Sequence, residues 1–167
     1  MANKQNFTQE EWTKVLESTM LAGVAVSAAE PSGLWGTLKE GFASSATMAK
    51  AKLDPSSNEL IKAVIADLET SARRSAVQEA LRKDFTGAKP AEVVQRSLAN
   101  LREVAAILNA KAPGDAPAFK AWLRLVGQKV AEASAEGGGF LGIGGVQVSD
   151  AEKATLADIS KALGTSA

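Results

Sequence analysis

The ten residues from Met20 to Ala29, MLAGVAVSAA, constrain this chain more than any other stretch. They carry no charge, and their largest side chains are Met, Leu and Val. Ala22, Gly23, Ala25, Ala28 and Ala29 are small enough to let neighbouring helices approach closely. A helix that is apolar on every side is buried on every side, so the pattern predicts the central helix of a helical domain. The stretch is too short for a bilayer span, which needs roughly 20 apolar residues. It is not a signal-peptide core either, because Glu10, Glu11 and Glu17 stand where a basic region belongs. A short Val-rich run can also form a buried strand, but its alanine content and the helical patterns around it favour a helix.

Composition matters here mainly through what is missing. There is no cysteine, so disulfides, thiolate metal sites and thiol catalysis are excluded. There is no histidine, which removes the commonest general base and the commonest transition-metal ligand. Nineteen basic residues balance nineteen acidic ones, so no net field draws the chain to nucleic acid or an anionic membrane. At 167 residues the chain fits one domain, 1–167, with a real core. Without a visible targeting segment, the expected location is the cytoplasm.

Along the chain, residues 1–6 read as a flexible polar tail. Thr8 and Glu11 then form a capping box, with Phe7 and Trp12 at the two positions of a hydrophobic staple. The first helix either breaks at Ser18-Thr19 or runs straight into the central one. Glu30-Pro31-Ser32-Gly33 interrupts the chain, and a helix is expected from Leu34 through Trp35, Leu38, Phe42 and Met48 to Leu53. Ser56 with Glu59 predicts the next start, and Leu60, Ile61, Val64, Ile65 and Leu68 the buried face that follows. A break is expected at Thr70-Ser71 before Val77, Leu81 and Phe85, and a stop at Gly87.

Pro90 opens the most regular helix, with Val94, Leu98, Leu101, Ala105 and Leu108 on one stripe. Asp115 is the expected cap of the next, which presents Phe119, Trp122, Leu123, Val126 and Val130 and leaves Lys120, Arg124, Lys129 and Glu132 elsewhere. Ser149 and Glu152 box the last helix, lined by Leu156, Ile159 and Leu163 and stopped by Gly164. The expected fold class is therefore all-α, a single-domain bundle of about seven helices. A Gly-rich loop or short β-hairpin is expected near 137–148, pairing Phe140–Ile143 with Val146–Val148 across Gly144-Gly145.

No catalytic constellation stands out. There is no S-x-x-K pair. The G-x-G-x-x-G match at Gly137, Gly139 and Gly142 follows a helix rather than a strand. Arg73, Arg74, Arg82, Lys83 and Lys89 make a local basic excess but lack the interleaved aromatics of a nucleic-acid surface. No cofactor, metal or nucleic acid is therefore expected. The candidate binding residues are Phe140, Leu141, Ile143, Trp35 and Trp122. Three large apolar side chains in a stretch with six glycines either plug the end of the bundle or form a lip over a ligand or partner. Phe140 is expected as the plug, with Leu141 or Ile143 more exposed.

Two segments resemble parts of the tellurite-resistance (TerB-like) helical domain family. Those domains are small bundles whose buried alanine-rich helix ends in an acidic-glycine turn, with a second such turn before a helix reading V-S-x-x-E. Ala22–Glu30 is similar to the first helix, and Val146-Gln147-Val148-Ser149-Asp150-Ala151-Glu152, continuing through Leu156, Ile159 and Leu163 to Gly164, to the second. Of the turn acids only Glu30 is present, since Gly144-Gly145 carries no aspartate. The resemblance implies a helical fold and stress-associated, non-enzymatic work. The expected function is an interaction protein acting through its surface, on a protein partner or a second copy of itself. The alternative is a carrier of an apolar small molecule, walled by Trp12, Trp35, Trp122 and Phe140. An enzyme working with carboxylates alone is a third reading.

Overall fold

Thr8 starts the first helix as its sequence predicts. Its hydroxyl accepts the Glu11 backbone N–H at 3.2 Å, and the Glu11 carboxylate accepts the Thr8 N–H at 2.8 Å. The rings of Phe7 and Trp12 close the staple with centroids 5.6 Å apart. From here helix α1 runs unbroken over Gln9–Ala29. It does not restart at Ser18-Thr19, because the two hydroxyls donate back to the carbonyls of Val15 and Leu16, at 2.7 and 2.8 Å, within the helix itself. The computed structural model describes residues 2–29, 58–137 and 148–165. The helix expected over 34–53 and the glycine-rich stretch 138–147 lie outside them.

Six α-helices form a bundle among the described residues. After α1 come α2 (Glu59–Glu69), α3 (Ser71–Phe85), α4 (Pro90–Lys111), α5 (Ala116–Gly137) and α6 (Asp150–Leu163). Helix α1 packs against all five others, which makes it the central helix. From Met20 to Ala28 every residue except Val24 is buried. The pairs Lys111–Glu11 and Lys14–Glu103 set α4 antiparallel to α1. None of the described helices is long and apolar enough to cross a membrane.

The small residues of α1 are used where α5 crosses it. A Cβ placed on Gly127 would lie 3.4 Å from the Ala22 carbonyl oxygen and from Leu156 Cδ2, and 3.5 Å from Ile159 Cδ1. One methyl group just fits at van der Waals contact, and a branched side chain does not. Gly127→Ala is therefore expected to be neutral or to stabilise by up to about 1 kcal/mol through helix propensity. Gly127→Leu is expected to destabilise by roughly 1–3 kcal/mol through overpacking. Urea denaturation of the two variants distinguishes them, and equal effects would mean that the helices do not meet there.

Several local expectations change in the structure. Residues 2–6 are docked and not a free tail: Lys4–Asn6 form a 3-10 turn and Ala2 is buried. Helix α2 is capped by Asn58, whose side-chain oxygen accepts from the N–H groups of Leu60 at 2.9 Å and Ile61 at 3.4 Å. Glu59 is thus the first helical residue, and Ser56, expected to start the helix, lies outside the described residues. On α4 the buried face is wider than the expected stripe, since α1 and α6 both cover it. Val93, Ser97 and Val104 join it, and Val94 is only half-buried.

Lys120 is buried and not on the solvent side, its ammonium donating to Asn109 Oδ1 at 2.7 Å. Leu156 is half-buried where full burial was expected, but Ile159 and Leu163 are buried. The other punctuation falls as the residues dictate. The chain breaks at Thr70, whose backbone is extended and whose hydroxyl donates to the Asp67 carbonyl at 2.7 Å. Gly87 and Gly164 take left-handed φ values of 73° and 65°.

Candidate functional site

Of the expected binding residues, only Trp122 belongs to the described part. Phe140, Leu141, Ile143 and Trp35 lie outside it. Trp122 sits on α5 and is buried, with Phe119 edge-on at a centroid distance of 5.4 Å. Its indole Nε1 is buried and has no hydrogen-bond partner among the described residues. Trp12, another expected wall residue, is also buried but has its indole satisfied, donating to Asp67 Oδ2 at 2.7 Å. The two tryptophans have separate ring neighbours, Phe7 for Trp12 and Phe119 for Trp122.

Two aspartates organise the polar side of the bundle, and of these only Asp115 carries a signal in the sequence, as a helix cap. Asp67, near the C-terminal end of α2, accepts from Trp12 and from Lys4 Nζ at 3.1 Å, and Arg73 Nε lies 3.7 Å away. Burial acts to raise the pKa of Asp67. The indole and ammonium hydrogen bonds and the charges of Lys4 and Arg73 outweigh it and hold the carboxyl below its usual range.

Asp115 is buried just before α5. It holds the expected cap position, its backbone carbonyl accepting the Phe119 N–H at 3.0 Å. Its carboxylate reaches across the fold, accepting the Ala2 N–H at 2.6 Å and the Asn58 side-chain amide at 2.8 Å. Helix α2 is thus fastened at both ends, and each fastening also holds the segment that precedes α1.

The carboxyl most relevant to proton chemistry is Glu17, half-buried on α1. Burial raises its pKa to about 6, the charge of Asp84 adds to the rise, and Lys14 partly offsets it. Lys14 is itself engaged by Glu103. A group so placed exchanges a proton near neutral pH, which is the requirement for a general base, although catalysis also demands reach to a substrate proton.

The folded pKa of Glu17 lies above the ordinary glutamate value of 4.5, so the folded chain holds this proton more tightly than the unfolded chain. That contribution is full below pH 4.5 and is lost as the pH rises through about 6. Glu17→Gln is therefore expected to be more stable than the parent at pH 7.5 by about 1 kcal/mol, allowing for solvent screening of a half-exposed group. The gain should vanish by pH 4. Denaturation midpoints of both proteins across that range check it, and a gain that is independent of pH would assign the effect to something other than titration.

At the start of α6, Glu152 Oε2 accepts the Ser149 N–H at 2.9 Å and Ser149 Oγ accepts the Glu152 N–H at 3.2 Å, the expected capping box. The other carboxylate oxygen, Oε1, is buried without a partner among the described residues, as is Ser97 Oγ on α4. Among the described residues no three Asp or Glu side chains gather in a group that could hold a metal ion. No protein-family model, curated protein or solved structure matches the chain.

Proposed function

We propose that this chain is a non-catalytic helical interaction protein that works through its outer helix faces. The observation that carries the reading is the use of the polar side chains. Asp67, Asp115, Lys120, Asn58 and the Ser149–Glu152 pair cap helices or tie them together. Groups engaged in this way hold a shape and are poorly placed for chemistry, so contact with other molecules falls to the exposed faces. On α5 that face runs through Ala118, Ala121, Leu125 and Gln128, with Leu125 41% exposed. Stress-associated work is part of the proposal, and it comes from the TerB-like resemblance of Ala22–Glu30 and the last helix.

The test is self-association of the purified chain, followed by sedimentation velocity across micromolar concentrations, for the parent and for Leu125→Glu. Mass that grows with concentration, and grows less in the variant, supports contact through α5. A chain that stays monomeric and retains nothing on purification would overturn the proposal.

The second reading, a carrier of an apolar small molecule, is favoured by the unpartnered indole of Trp122. A buried N–H without an acceptor calls for an explanation, and a ligand carbonyl or ether oxygen is one. Native mass spectrometry would then show an adduct released on denaturation, and Trp122→Phe, which keeps the apolar ring but not the N–H, would retain less of it.

A further inference from the structure

We draw no further inference here: the strongest candidate, the buried and unpartnered carboxylate oxygen of Glu152 in the first turn of α6, stands among the described residues without a second ligating group to say what it would hold.

Discussion

Replacing Trp12 with alanine should destabilise the fold by about 3–5 kcal/mol, the usual cost of removing a core aromatic side chain. Three separate interactions end with that one residue. The ring is 2% exposed, it closes the staple with Phe7, and its indole donates to Asp67. Against a total stability of roughly 5–15 kcal/mol for an ordinary domain, the loss brings the chain close to unfolding. Thermal melting should fall by about 6–20 °C, at 2–4 °C per kcal/mol for a chain of this size.

Trp12→Phe separates packing from the hydrogen bond, since it keeps most of the apolar surface. It should cost about 1.5–3 kcal/mol, the range for a hydrogen bond to a charged group. The pH dependence supplies the check. The folded pKa of Asp67 is below the ordinary aspartate value of 3.8, so its stabilising contribution is present above pH 3.8 and is lost as the pH falls through the folded value. The gap between the parent and Trp12→Phe should therefore narrow in acid. A gap unchanged down to pH 2 would mean that the indole–carboxylate bond contributes nothing.

What the sequence made legible in this fold was local. The boxes Thr8–Glu11 and Ser149–Glu152 join residues three apart. Residue types at that spacing announce themselves, because each cap satisfies backbone groups that the helix end leaves bare. The uncharged Met20–Ala29 run was equally readable, since burial on all sides leaves no polar face to find. Helix faces were read less sharply. Val93 rather than Val94 is buried because α4 is covered from two sides, which a single stripe cannot express.

The cross-ties were invisible for the opposite reason. Asp67 meets Trp12 across 55 residues and Lys4 across 63, and Asp115 meets Asn58 across 57 and the Ala2 N–H across 113. Nothing in the neighbourhood of either aspartate announces such a partner. Asp115 even looks like a helix cap, because it stands just where one belongs. Lys120 misleads, its polarity suggesting solvent while Asn109 receives its ammonium inside the fold. Of the expected binding residues, the four outside the described part are untouched by these findings. Trp122 was legible as a large aromatic at helical spacing, but its unpartnered indole was not.

The second large effect is expected at Asp115. Asp115→Ala leaves two donors, the Ala2 N–H and the Asn58 amide, without the acceptor each has at 2.6 and 2.8 Å. A buried donor left unpaired costs about 1–3 kcal/mol, so the substitution should destabilise by roughly 2–4 kcal/mol. Asn58→Ala should cost less, about 1–2 kcal/mol, mostly as a lost helix cap. The double variant tests whether the two side chains act as one unit, because residues sharing a hydrogen-bond network fail to add by about 0.5–3 kcal/mol. Here the double variant should be less destabilised than the sum of the singles.

Hydrogen exchange places the damage. Residues 2–7 and the first turn of α2 should lose protection, and the middle of α1 should keep it, since local opening follows the contacts that are removed. Urea denaturation in which Asp115→Ala shifts stability by less than about 0.5 kcal/mol, as an ordinary surface change does, would show that the segment before α1 is held by Phe7, Trp12 and the Lys4–Asp67 pair without help from Asp115.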